Sequence, residues 1–325
     1  MLLSAAAVVT GFTLLVWGAD RFVIGAAATA RNMGISPLII GLTIVGFGTS
    51  APEMLISAIS AWNGNPGVAV GNALGSNIAN MGLVLGATAL TRPLLVHSDT
   101  LQREYPMMFI AMLIGLLLLM DDRLGAADGM LLMTGLCLML YWMVRMGRRQ
   151  QDGLDPMEAE FAAELPPTMS TVRALSWLAV GLAVLLISSR LVVWGAVDIA
   201  RAFGVSDLVI GLTIVAIGTS LPELAASVMS ALKGEHDIAI GNIIGSNIFN
   251  MLGVLGISGM IFPHNIDPEV LSRDFPVMIG LAVALFAMAY GFRKPGALSR
   301  VEGALLMAAY LGYLILLGMT DPPTV

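Results

Sequence analysis

The sequence predicts an all-α polytopic membrane protein of ten transmembrane helices, arranged as two inverted five-helix repeats with both termini outside. Three observations predict it: a composition too apolar for a water-soluble globule, a succession of long apolar runs, and two motifs that each recur 170 residues later. Of 325 residues, 57% are hydrophobic and 12% charged, at a mean hydropathy of +0.87. A soluble domain carries about 25% charged residues.

The apolar runs Leu2–Trp17, Leu38–Trp62, Met107–Met120, Met130–Val144, Ala174–Ile187, Leu208–Leu232, Phe275–Ala289 and Ala304–Met319 approach or exceed the roughly 20 residues that cross a bilayer. Segmentation places spans near 2–30, 36–62, 67–91, 105–120, 126–146, 173–202, 207–232, 238–261, 275–292 and 298–319. The first opens Met-Leu-Leu-Ser with no basic segment and no clear cleavage point, so it is expected to be retained as a transmembrane helix. Cys137, the sole cysteine, lies inside an apolar run, which excludes disulfides and multi-thiolate metal sites within the chain. His97, His236 and His264 fall in predicted loops and are expected to be solvated.

The placement of charge orients the spans. Loops on one side hold Arg31, Arg92, Arg103, Arg145, Arg148, Arg149, Arg173, Lys233, Arg293, Lys294 and Arg300. Loops on the other hold Arg123, Arg201 and Arg273, while Arg21 and Arg190 fall within spans and are expected to be structural or interfacial. Eleven against three puts the first side in the cytoplasm and both termini outside. The chain then divides into a first repeat (1–146), an acidic cytoplasmic linker (147–172) with Pro156, Pro166 and Pro167, and a second repeat (173–325).

Repetition is the strongest signal. Gly41-Leu-Thr-Ile-Val-Gly-Phe-Gly-Thr-Ser-Ala-Pro-Glu53 returns as Gly211-Leu-Thr-Ile-Val-Ala-Ile-Gly-Thr-Ser-Leu-Pro-Glu223, and Gly71-Asn-Ala-Leu-Gly-Ser-Asn-Ile-Ala-Asn80 as Gly241-Asn-Ile-Ile-Gly-Ser-Asn-Ile-Phe-Asn250. The same offset relates Arg31 to Arg201, Arg103 to Arg273 and Pro106 to Pro276. Five spans per unit is odd, so the second copy enters the membrane from the opposite side. Transporters use this inverted symmetry for alternating access, with a substrate site near the midplane.

The first motif places Glu53 and Glu223 mid-span, where a carboxylate costs about 3 kcal/mol. Proline lacks the N–H that would bond the carbonyl four residues back. Pro52 therefore releases the Gly48 carbonyl and Pro222 that of Gly218, and both helices are expected to break there. Carbonyls, Thr and Ser hydroxyls and a carboxylate would converge on one turn. These are hard oxygen ligands, suited to Ca²⁺ or Na⁺.

The second motif supplies a facing wall. Asn72, Ser76 and Asn80 share a helix face, as do Asn242, Ser246 and Asn250. Gly71 with Gly75, and Gly241 with Gly245, permit close helix approach. Thr43, Thr213, Asn72 and Asn242 serve equally well as interhelical hydrogen-bond glue, and Asn77 and Asn247 lie off the ladder face, placed to cap or bond backbone.

At these motifs the chain resembles the cation/Ca²⁺ exchanger superfamily, the sodium/calcium exchanger family, and most of all its YrbG-like bacterial branch, related to potassium-dependent sodium/calcium exchangers. The resemblance spans the full length. It implies two long gating helices (the first and sixth spans) sliding over an eight-helix core, in a multi-pass protein of the inner (cytoplasmic) membrane. It also implies cation binding by Glu53 and Glu223 at the centre, with Thr49, Ser50, Thr219, Ser220, Ser76, Ser246, Asn80 and Asn250 around them. Where several exchangers carry Asp, this chain has Asn250, leaving two formal negative charges rather than three.

The expected activity is antiport of Ca²⁺ against Na⁺, with H⁺ or K⁺ as other candidate ions and with no cofactor, nucleic-acid partner or enzymatic chemistry. A proton/Ca²⁺ exchanger would use the same glutamates, so it stays open beside the sodium reading. A cation channel needs a continuous pore and usually higher symmetry. An intramembrane hydrolase would need a Ser/His pairing that the spans lack.

Overall fold

The computed structural model describes residues 1–64, 66–96, 104–149, 169–203, 216–289 and 296–320. Most of the expected 147–172 linker, together with His97, Arg103, Thr213, Arg293 and Lys294, lies outside the described residues. The helices are α1 (Leu2–Met33), α2 (Pro37–Trp62), α3 (Pro66–Thr91), α4 (Glu104–Leu119), α5 (Ala126–Arg149), α6 (Thr171–Ala202), α7 (Leu221–Lys233), α8 (His236–Ile261), α9 (Val270–Ala289) and α10 (Arg300–Thr320). A helical turn, Ala216–Thr219, precedes α7. Seven of these, α1, α2, α3, α6, α8, α9 and α10, are long and apolar enough to cross a membrane, and Glu104–Leu119 and Ala126–Trp142 form shorter apolar helices.

Small residues at near-heptad spacing explain how α1 and α6 pair. Gly11, Gly18 and Gly25 on α1 meet Gly181, Ser188 and Gly195 on α6, so the backbones close to contact. A Cβ on Gly25 would lie 2.3 Å from the Leu178 nitrogen, and one on Gly181 would lie 2.4 Å from that of Phe22. Gly11 packs on Val192 and Gly195 on Ser4, so the contact order runs backwards along α6 and the helices are antiparallel. At one end Ser4 donates to Asp198; at the other, Arg21 stacks over Trp177, its guanidinium 4.9 Å from the ring centroid.

The motif helices occupy the centre. α8 is buried along its whole apolar window, α3 and α2 mostly so, whereas α1, α6, α9 and α10 present much of theirs outward. Gly241 and Gly245 let α8 pack on α2: a Cβ at Gly245 would sit 2.3 Å from the Leu42 carbonyl oxygen, and one at Gly241 would sit 2.6 Å from that of Leu38. The region matching Leu42 at the 170-residue offset lies outside the described residues, so the corresponding contact of Gly71 and Gly75 does too.

Three features depart from the sequence expectation. The chain is not wholly helical: β1 (Leu94–Val96) pairs antiparallel with β4 (Gly296–Leu298), and β2 (Arg123–Leu124) with β3 (His264–Asn265). These strands tie loops of one repeat to loops of the other, giving their backbone groups partners where the helices end. His236, expected in a solvated loop, opens α8 and is buried. Finally, α9 starts five residues before the expected span, in a wide π turn, Val270–Asp274. That extra turn draws Asp274 inward, where the Tyr313 hydroxyl of α10 donates to it at 2.9 Å and Arg273 pairs with it at 2.8 Å.

Candidate functional site

Residues 46–62 of α2 form an uninterrupted helix through Pro52, so the break expected there does not occur. A missing N–H removes one hydrogen bond, and packing against α8 and α3 holds the rest of the turn. The second copy does break. The chain turns at Ser220, and Pro222 falls in the first turn of α7, where a missing N–H costs nothing. The Gly218 carbonyl, which Pro222 cannot serve, accepts instead from the Ser189 hydroxyl of α6 at 2.8 Å. Gly48 and Gly218 both face α6: an added Cβ would meet Leu182 at 3.0 Å and Val193 at 2.1 Å respectively.

Around these turns the polar residues of both motifs converge. Glu53 and Glu223 are each 1% exposed. The Ser50 hydroxyl donates to Glu223 Oε1 at 3.2 Å, which brings the first-copy motif within one helical turn of the second-copy carboxylate. Thr49 donates to Asn242 Oδ1 at 3.0 Å and lies 3.4 Å from the Ser246 hydroxyl. Asn72 Nδ2 donates to the Glu53 carbonyl at 3.2 Å and to Ser57 Oγ at 3.0 Å. Its counterpart Asn242 does the same to the Glu223 carbonyl at 3.3 Å and Ser227 Oγ at 2.9 Å. These matched bonds clamp each carboxylate-bearing turn to the facing motif helix. Ser76 lies on Asn72 at 3.5 Å.

Asn80 and Asn250 sit in wide π turns, Asn80–Val84 and Phe249–Val254. Such turns rotate a side chain off the regular helical face and recur at functional sites. Asn80 Nδ2 donates to Asn247 Oδ1 at 3.2 Å. Ser220 is buried beside the break, and Thr219 is half-buried one residue before it.

The chemistry lies in what these oxygens lack. Both carboxylate oxygens of Glu53, one of Glu223, the Asn80 and Asn250 amide oxygens and the Ser220 hydroxyl are buried with no protein hydrogen-bond partner. Leaving buried polar groups unsatisfied is costly, and an unpaired charge far more so. Arg21, stacked on Trp177 and paired with Asp20, is engaged on α1. Buried oxygens of this kind are the donors a hard cation takes. Among the described residues no cluster of three or more His, Cys, Asp or Glu exists, and the convergent polar groups are two carboxylates among neutral oxygens. That composition fits hard cations and does not fit soft ones.

Sequence reasoning missed Ser189, whose bond to Gly218 bridges distant elements, and misread Asn77 and Asn247. Both are fully buried and donate to methionine sulfur, Asn77 to Met278 at 3.6 Å and Asn247 to Met108 at 3.4 Å. The signal was available: Met108 and Met278 obey the same 170-residue offset, two positions after Pro106 and Pro276.

Comparison with known proteins supplies the family. A family model described as sodium/calcium exchanger protein matches residues 3–145 and 173–319. CaxA of Alkalimonas amylolytica is 53% identical over 98% of this chain and 99% of its own length. The inner membrane protein YrbG of Escherichia coli is 42% identical over 99% of each chain. A solved structure of the sodium-calcium exchanger NCX_Mj superposes with a TM-score of 0.81 at 30% identity, covering 99% of both chains.

Proposed function

This chain belongs to the sodium/calcium exchanger protein family, and on that premise we propose that it exchanges Ca²⁺ for Na⁺ across the cytoplasmic membrane by alternating access, with Glu53 and Glu223 as the paired anionic ligands. The observation that carries the reading is the cluster of buried, unpartnered oxygens on both copies of the motif. We take Thr49, Ser50, Thr219, Ser220, Ser76, Ser246, Asn80 and Asn250 as the surrounding neutral ligands, beside the break that Gly218 and Pro222 make in the second copy.

Antiport follows from electrostatics. With both carboxylates bare, drying the site is expensive, because among the described residues no cationic side chain pairs with either one. One Ca²⁺, or Na⁺ ions of equal total charge, removes that penalty and lets α1 and α6 shift across the site. The empty carrier stays open to one side, so the return step requires an ion. The two ions have similar radii and prefer oxygen, so they compete for the same ligands. Asn250 supplies no third charge, so the ions need balance only two.

Ten transmembrane spans with both termini outside fit this reading. Antiparallel α1 and α6 support inversion. The strand pairs support the sidedness: β1 with β4 joins two loops assigned to the cytoplasm by their charges, and β2 with β3 joins two assigned outside. Arg92 donating to the Leu232 carbonyl at 2.9 Å again links two cytoplasmic loops.

Proteoliposomes loaded with Na⁺, K⁺ or acidic buffer test the counter-ion. We expect radiolabelled Ca²⁺ uptake only with internal Na⁺. Uptake driven by the proton gradient alone would transfer the same carboxylates to H⁺/Ca²⁺ exchange, and uptake with no counter-ion requirement would contradict antiport.

A further inference from the structure

The geometry points to Met108 as a positioning residue that sets which end of the site asparagine Asn80 faces the transported cation. The inference rests on the exchange reading and adds to it a residue that carries no ligand of its own.

An amide side chain is ambiguous. Its oxygen accepts and its nitrogen donates, and the two ends have nearly the same shape. A cation needs the oxygen; the nitrogen repels it. A neutral asparagine ligand is therefore useful only if something excludes the flipped state. Asn80 has its oxygen unpartnered and its nitrogen committed to Asn247 Oδ1 at 3.2 Å. That bond orients Asn80 correctly only while Asn247 itself offers oxygen.

Met108 enforces this. A thioether sulfur accepts hydrogen bonds and has no proton to donate. It lies 3.4 Å from Asn247 Nδ2, and both residues are fully buried. A flipped Asn247 would set its oxygen against sulfur lone pairs and its N–H groups against those of Asn80. The chain of polarity thus runs from Met108 sulfur to Asn247 nitrogen, from Asn247 oxygen to Asn80 nitrogen, and ends on a free Asn80 oxygen. Met108 belongs to α4, so a helix that contributes no charged ligand controls one of the neutral ones.

The other half makes only the first of these links. Asn77 Nδ2 donates to Met278 of α9 at 3.6 Å, again fully buried. Its oxygen is turned away from the sulfur and has no partner, and neither end of Asn250 has one. The relay is closed between Asn247 and Asn80, whereas beside Asn77 and Asn250 its last link is unmade. In the closed half Asn80 is already aimed; in the open half Asn250 is free to turn toward whichever ion arrives.

The test uses the full-length protein, with radiolabelled Ca²⁺ binding in detergent and Ca²⁺ uptake into Na⁺-loaded proteoliposomes. Met108→Leu conserves volume and apolarity but removes the acceptor. We expect it to raise the half-saturating Ca²⁺ concentration by roughly 3- to 10-fold, with the larger effect there and the smaller on maximal rate. Met108→Gln carries an amide that can turn either end to Asn247, so it should leave most of the loss in place. Asn247→Leu combined with Met108→Leu should be no worse than Asn247→Leu alone, because both cut one relay. Met278→Leu is the internal control: with no link from Asn77 to Asn250, it should leave half-saturation near the wild-type value, and Asn247→Leu alone reads the relay should Met108→Leu fold poorly. Unchanged half-saturation in Met108→Leu, or full rescue by glutamine, overturns the relay while wild-type exchange stands. A wild-type protein that neither binds nor transports Ca²⁺ overturns the exchange reading itself, and the relay with it.

Discussion

Ser50 donates its hydroxyl to Glu223 at 3.2 Å, and the reciprocal bond, from Ser220 to Glu53, is not made: the Ser220 hydroxyl and both Glu53 oxygens lack partners. Two motifs of matching sequence therefore hold their carboxylates differently. The broken turn at Ser220 against the continuous helix at Ser50 is the structural reason. A symmetric site would respond equally to loss of either hydroxyl. We expect Ser50→Ala to weaken apparent Ca²⁺ affinity by about 10-fold, the worth of a hydrogen bond to a buried charge, and Ser220→Ala by less. Half-saturation curves for the two variants side by side check this.

Ser189 is the second point of asymmetry. It caps the carbonyl that Pro222 leaves free, while the residue at the matching offset on α1 is Ala19. Ser189→Ala strands a buried carbonyl and should cost about 1–3 kcal/mol, seen as a lower thermal midpoint in detergent. Ser189→Thr, which keeps the hydroxyl, should retain most of the stability.

Close packing of α8 on α2 predicts a sharp contrast between glycines. Gly245→Ala drives a methyl to within 2.3 Å of the Leu42 carbonyl oxygen, and backbone cannot easily give way. We expect a loss of roughly 1–3 kcal/mol from overpacking. Gly312→Ala, with nothing within 4 Å of the added carbon, should be neutral or slightly stabilising through helix propensity. Thermal midpoints of the two variants decide it.

Glu235 lies between α7 and α8, outside the spans. Burial pushes its carboxyl up from 4.5 to about 7, Asp237 adds to the rise, and Lys233 opposes it. An acid with a raised folded-state value binds its proton more tightly folded than unfolded. Its contribution to stability is fully present below pH 4.5 and is lost as pH rises through about 7. Wild-type stability should therefore decline across that window more steeply than that of Glu235→Gln. Thermal midpoints at pH 5, 6, 7 and 8, compared as a difference between the two proteins, isolate this group from the site glutamates.

Much of the fold was legible because membranes make sequence explicit. Apolar runs marked the helices, and an offset shared by Glu53 with Glu223 and Asn80 with Asn250 disclosed the repetition. The missing parts were of another kind. Pro52 does not break its helix, because neighbouring helices hold the turn that local chemistry would loosen. His236 is buried because α8 begins there. The bonds from Ser189 to Gly218 and from Asn247 to Met108 join residues far apart in the chain, and nothing local announces a sulfur as the partner of an amide. Long-range polar pairing is where sequence periodicity stops being informative.

The most direct test of the exchange reading is radiolabelled Ca²⁺ uptake into Na⁺-loaded proteoliposomes by wild-type protein, Glu53→Gln and Glu223→Gln. Wild-type protein should accumulate Ca²⁺, and each variant should lose roughly 100-fold in transport efficiency, having forfeited half the site's charge. Glutamine variants that exchange Ca²⁺ at the wild-type rate would contradict the paired carboxylates as the cation site.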